Sequence, residues 1–166
     1  MTARNIYLTG FSGSGKSTIA RLLSAHLAWP SYDLDQLIVE QAGMSIPAIF
    51  DQEGEAGFRD RESAALHEVA GRAPCVVATG GGTFVDPQNR AVINQDGVSV
   101  WLDVPLERLI ARIPSDGRRP LAADRVEFER LYLLRRAAYE QAQFRLDCSR
   151  STVPALVEEL LHWLDT

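Results

Sequence analysis

Apolar positions along the chain recur with two periods, and the alternation between them predicts a succession of strands and helices. Asn5 to Thr9 forms a short apolar run, and after a glycine-rich stretch Ile19, Leu22, Leu23 and Leu27 recur at helical spacing. A second short strand is predicted to end near Asp33, followed by a helix from Leu34 to Ala42 that Gly43 closes. Ser45 is suited to cap a helix over Ile46 to Phe50. A longer amphipathic helix with Phe58, Ala65, Leu66 and Val69 on its buried side then runs to Gly71 and feeds a strand from Cys75 to Thr79. The same rhythm continues with a helix near Pro87 to Asn94, a strand from Val98 to Asp103 and a helix from Pro105 to Ile113. Pro114 to Asp124 is polar, contains Gly117 and Pro120, and reads as a surface segment. A long helix to about Gln143, a strand from Phe144 to Cys148 and a helix with Pro154 in its first turn complete the pattern. Helices between strands predict five parallel strands covered on both faces, with ligands at the carboxyl ends of the strands.

Composition narrows the class. At 166 residues the chain suits one compact domain, and its 46% hydrophobic and 23% charged content is that of an ordinary globular protein. The net charge of −5, without a basic run, argues against nucleic acid or an anionic membrane as partner, so any anion site must be local. No leader pattern and no apolar run of spanning length is present, which predicts a cytoplasmic location. Cys75 and Cys148 each fall in an apolar strand, where reduced structural thiols are expected. Lys16 is the only lysine among 17 Lys plus Arg, so its position requires a compact ammonium that a planar guanidinium cannot replace.

That lysine lies in Gly10-Phe11-Ser12-Gly13-Ser14-Gly15-Lys16-Ser17, two glycines separated by four residues and followed by Lys and Ser. With a strand before and a helix after, the segment predicts a phosphate cradle. Backbone N–H groups of Gly13, Ser14 and Gly15 converge with those of Lys16, Ser17 and Thr18, the helix adds its positive end, Lys16 reaches the β and γ phosphates, and Ser17 can ligate Mg²⁺. The plain alternative, an ordinary glycine-rich turn, does not explain this context. A guanine-reading Asn-Lys-x-Asp element is impossible with Lys16 as the sole lysine.

A second group of residues suits a phosphoryl acceptor. Asp33 and Asp35 flank Leu34, and in extended backbone that spacing directs both carboxylates to one side; helix capping is the alternative. Two acids there could divide support of Mg²⁺ from removal of the acceptor's proton. Gly80-Gly81-Gly82 follows the central strand, where backbone donors can approach a ligand closely. Arg59, Arg135 and Arg136 offer forked donors for a substrate carboxylate, although most helix arginines are simply solvated.

Together these segments resemble the shikimate kinases over nearly the whole chain. The signposts stand in order: Gly10 to Ser17, Asp33-Leu34-Asp35, Ser45 to Phe50, Gly54-Glu55, Phe58-Arg59, Glu62, Thr79 to Gly82, and Arg119-Pro120-Leu121. The resemblance implies a P-loop kinase fold of the nucleoside monophosphate kinase type. That fold is a three-layer α/β/α domain over 1–166, with a substrate-binding region at about 33–61 and a lid at about 112–124. It implies transfer of the ATP γ-phosphoryl to the 3-hydroxyl of shikimate, a step of aromatic amino acid biosynthesis, with shikimate and ATP as partners of a monomer. Asp35, Arg59, Gly80, Gly81, Gly82 and Arg135 match the substrate side, and Ser17 and Asp33 match the Mg²⁺ side. Arg119 would reach the transferring group, with Arg112 and Arg150 against the nucleotide. Ala122 follows Leu121 where a second leucine is usual. Ala137 replaces the usual proline in Arg135-Arg136-Ala137-Ala138-Tyr139, which leaves Arg136 as the alternative to Arg135. The rivals are gluconate kinase and a regulatory module that has lost catalysis. The triple glycine and paired aspartates argue against the first, and retention of Lys16, Asp35 and the lid arginine argues against the second.

Overall fold

The computed structural model describes residues 4–72, 74–112 and 122–165. Their strands form one five-stranded parallel sheet in the order β2-β3-β1-β4-β5, from β1 (Asn5–Thr9), β2 (Ser31–Asp33), β3 (Val76–Ala78), β4 (Gly97–Asp103) and β5 (Phe144–Asp147). Seven α-helices are described: α1 (Lys16–Leu27), α2 (Leu34–Ala42), α3 (Ile46–Val69), α4 (Pro87–Asp96), α5 (Leu106–Ala111), α6 (Ala122–Tyr139) and α7 (Val153–Leu164). The predicted α/β architecture holds. β1 is buried along its whole length because both sheet faces are covered, which is why it reads as a continuous apolar run.

Local signals set several boundaries. The Asp33 side chain accepts from the Gln36 N–H and starts α2, and Gly43, at φ 69°, stops it. Asp86 caps α4 by accepting from Gln88 and Asn89, with Pro87 at the first helical position. In α1 the buried face is Ile19, Ala20 and Leu23; Leu22, at 38% exposed, lies off it despite its spacing. Leu156, Leu160 and Leu164 of α7 are buried, and α7 packs beside α1.

Three helical segments bear on the expected bounds. The two helices expected on either side of residue 54 are present and meet at a kink, so that α3 is two helices joined at Gly54, where φ 74° and ψ −179° interrupt the helical backbone. A side chain is strained in that geometry, so glycine allows the bend. The halves are held together by Arg61, whose guanidinium makes two 2.8 Å hydrogen bonds to Glu53, and by Gly57, where a β-carbon would lie 2.5 Å from that of Glu53. Second, α6 begins at Ala122, inside the expected surface segment, and ends at Tyr139 instead of near Gln143. Third, the helix expected to start at Pro105 covers Leu106–Ala111, with Pro105 at its cap. Both cysteines are free and buried; burial pushes the Cys75 thiol up to about 11 and that of Cys148 up to about 12, as inert interior thiols require. No helix among the described residues is long and apolar enough to cross a membrane.

Candidate active site

The strand order makes β1 the switch point, with β3 on one side and β4 on the other, so a crevice opens beyond its carboxyl end. The loop after β1 fills the floor of that crevice. Gly10, Gly13 and Gly15 have φ of 149°, 85° and 97°, and a β-carbon at Gly10 would lie 2.9 Å from the Leu102 carbonyl oxygen. Gly15 caps α1 without any side-chain hydrogen bond, which leaves the first-turn N–H groups facing the loop. Lys16 is 9% exposed, and its ammonium donates to the carbonyls of Gly10 (2.5 Å) and Phe11 (3.2 Å). Burial lowers its pKa to about 8; Asp35 and Asp33 oppose that shift, and Arg135 adds to it.

Ser17 Oγ donates to Asp33 Oδ2 at 2.7 Å while Asp33 Oδ1 accepts from Gln36 N at 3.2 Å. Asp33 therefore both caps α2 and faces the phosphate loop. The backbone does not stay extended through Asp35, as the strand ends at Asp33 and Asp35 belongs to the first turn of α2. The two carboxylates nevertheless line one cavity of about 260 Å³, with Ser12 to Thr18, Thr79 and Gly81. Burial, then the charge of Asp33, raises the Asp35 pKa; Lys16 and Arg59 oppose the rise and Glu62 adds to it.

The three glycines after β3 are the points at which the remaining groups meet. A β-carbon at Gly80 would lie 2.9 Å from Asp35 Oδ1 and 3.2 Å from Glu62 Oε2. At Gly81 it would meet Ser12 Oγ at 2.9 Å and an Arg135 guanidinium nitrogen at 3.0 Å, and at Gly82 it would meet the Arg59 guanidinium at 2.6 Å. Glycine is required here by close approach. Arg59 is fixed from below, since its guanidinium donates to buried Glu62 at 2.9 Å and lies 5.3 Å from the centre of the Phe58 ring. Glu62 also accepts from Thr83 Oγ1 at 2.9 Å, and the Gly80 N–H donates to that same hydroxyl.

Neighbouring arginines separate clearly. Arg135 lies over Phe11 of the phosphate loop (5.6 Å) and beside Gly81. Arg136 turns away, donating to Asp103 at 3.2 Å and stacking on Trp101 at 4.9 Å. A second cavity of about 310 Å³ shares Gly13, Ser14, Gly15 and Thr18 with the first, and continues past Arg108, Arg112, Cys148, Ser151, Val153 and Leu156. Arg112 donates to the Gly13 carbonyl at 2.6 Å. Arg150 is exposed on the turn after β5, between Cys148 and Ser151 of that lining. Arg119 lies outside the described residues.

A model of the shikimate kinase family matches residues 12–165. The chain belongs to this family. The shikimate kinase of Rhodopirellula baltica is 42% identical over 166 residues, covering 95% of this chain and 89% of that protein. The Geobacter sulfurreducens shikimate kinase is 41% identical over 160 residues, covering 95% and 88%. Among solved structures, shikimate kinase from Acinetobacter baumannii in complex with shikimate superposes with a TM-score of 0.90 at 34% identity, covering 98% of this chain and 93% of that one. The site of this shikimate kinase family member contains groups that sequence reasoning left without a role: Thr83, Ser12, Arg108 and Tyr139, with Glu62 noted only for its order. Helical spacing held signals for three of them, because Glu62 is three residues from Arg59, Tyr139 four from Arg135, and Arg108 four from Arg112.

Proposed function

We propose that the chain transfers the γ-phosphoryl group of ATP to the 3-hydroxyl of shikimate, giving shikimate 3-phosphate and ADP. The observation that carries this reading is the meeting of the phosphate loop, Asp35, Arg59 and Arg135 around Gly80, Gly81 and Gly82, in a member of this family. The loop N–H groups and Lys16 bind the phosphates, with Thr18 and Arg112 on the nucleotide side. Arg59 and Arg135 suit the acceptor's carboxylate as planar forks of donors. Asp35, with its pKa raised by burial, takes the hydroxyl proton as the hydroxyl oxygen bonds to the γ phosphorus and the bond to the β-phosphate oxygen breaks. Arg119 is assigned to the transferring phosphoryl group by its place in Arg119-Pro120-Leu121.

Ser17 and Asp33 suit a hard divalent cation. Their oxygens are 2.7 Å apart, and hard oxygen donors of this kind suit an ion whose other ligands are water and phosphate. Bound there, Mg²⁺ would neutralise charge on the β and γ phosphates.

The decisive measurement is ADP release from purified protein with ATP and Mg²⁺, offered shikimate, gluconate and nucleoside monophosphates in turn. Turnover is expected with shikimate and should cease with EDTA. Turnover confined to gluconate or a nucleotide acceptor sinks the assignment.

Lys16 supplies a pH-dependent test of the nucleotide half of the site. With a pKa near 8 in the protein alone, it is about half protonated at pH 8, and triphosphate beside it favours the charged form. Nucleotide binding at pH 8 is therefore expected to take up about half a proton, and less as the pH falls toward 6.5. Calorimetry in buffers of different ionisation enthalpy reads this directly. A binding enthalpy independent of buffer at pH 8 would contradict it.

A further inference from the structure

Tyr139, the last residue of α6, is 1% exposed and none of the roles above uses its hydroxyl. Its ring packs against Trp101 with centroids 6.1 Å apart, and its hydroxyl donates to the Gly81 carbonyl. Gly81 lies between Ser12 of the phosphate loop and Arg135, both within 3.0 Å of where its β-carbon would be. A trans peptide directs its carbonyl and the next N–H to opposite sides. A carbonyl drawn toward Tyr139 therefore aims the Gly82 N–H away from it, and Gly82 is the residue that lies against the Arg59 guanidinium. Burial drives the phenol's pKa up to about 12, with the nearby Arg135 charge opposing, so the hydroxyl keeps its proton and stays a donor at working pH.

We propose that Tyr139 is a positioning residue for the acceptor: its hydroxyl fixes the Gly81–Gly82 peptide and stands beside Arg135, holding both for the anionic end of the substrate. The inference rests on shikimate as acceptor, since it needs a carboxylate-bearing ligand at Arg59 and Arg135. It differs from a packing role in a testable way. The ring supplies the packing and the hydroxyl supplies the positioning, so Tyr139→Phe removes only the second.

Steady-state kinetics on the full chain with varied shikimate and varied ATP are the test, together with thermal melting. Tyr139→Phe is expected to raise KM for shikimate about five- to tenfold, with KM for ATP within twofold of the parent and melting little changed. In an Arg135→Ala background the same substitution should keep part of its effect on the shikimate KM, because the Gly81–Gly82 peptide that the hydroxyl fixes is still present. An unchanged shikimate KM overturns the proposal. So does a parallel rise in both KM values with a lowered melting temperature, which would make the hydroxyl structural; if Tyr139→Phe fails to fold, that too assigns it to the fold. A parent protein inactive on shikimate defeats the proposed function itself, a result separable from an active parent whose Tyr139→Phe variant behaves identically.

Discussion

Lys16→Met is expected to lower kcat by about 10³-fold or more while leaving the protein folded. Methionine approximates the length and apolar stem of lysine, and the loop geometry comes from Gly10, Gly13 and Gly15, so the cradle should survive. What disappears is the one ammonium within the loop, in a site where burial makes each charge count for more than it would in water. The lost rate corresponds to about 4 kcal/mol of transition-state stabilisation. Stability should not fall in parallel. Burial already disfavours the charged form strongly enough to lower the pKa to about 8, so replacing the charge by a thioether relieves desolvation and leaves melting unchanged or raised. Lys16→Arg should not rescue turnover, because a longer, planar guanidinium does not reproduce the compact point charge that donates to the Gly10 and Phe11 carbonyls. A Lys16→Met variant within tenfold of the parent kcat would remove Lys16 from the chemistry.

The ease with which such residues can be named from sequence varies with how local their determinants are. β1 and α2 have the bounds that pattern and caps predict, since a continuous apolar run, an Asp N-cap and a Gly stop all act within a few residues. The phosphate loop is legible for the same reason. The kink that joins the two helices of α3 is not, because the break at Gly54 is held by Glu53 and Arg61, eight residues apart, and by a close approach at Gly57. The end of α6 is likewise set from a distance: the Gln143 N–H is taken by Ser99 Oγ on β4, with no glycine or proline in between to announce it. Strand order depends on pairings such as Ile6 with Val76 and Val98, which no local pattern encodes.

Within the site the contrast is sharper. Spacing on a helix left Arg135 and Arg136 open as substrate ligands, and only the partners of Arg136, Asp103 and Trp101, separate them. Asp33 and Asp35 come together for a reason other than the one their spacing suggests. A strand end and a helix start meet at Leu34, and the turn between them carries both carboxylates into one cavity. In sequence the triple glycine offers a row of exposed donors. Its geometry adds a steric reason, since Asp35, Glu62, Ser12, Arg135 and Arg59 all crowd the positions where side chains would be.

Asp35→Asn is expected to lower kcat by about 10²- to 10⁴-fold while KM for ATP changes little. The substitution is nearly isosteric, so the helix and the cavity wall stay in place, and the amide can still contact a hydroxyl. It cannot accept the proton. In the parent, burial and the charge of Asp33 raise the Asp35 pKa, which brings it closer to working pH and makes it a stronger base than an exposed aspartate. Because that pKa is raised, turnover of the parent should decline as acidity protonates Asp35, at a pH above the ordinary aspartate range. The Asn variant should lose that acidic limb from its profile of kcat against pH. The coupling to Lys16 gives a second readout. Asp35 supports the charged form of Lys16, so its neutralisation should lower the Lys16 pKa further and increase proton uptake on nucleotide binding at pH 8. Unchanged turnover in the variant, or an acidic limb that persists at the same pH, would show that another group takes the hydroxyl proton.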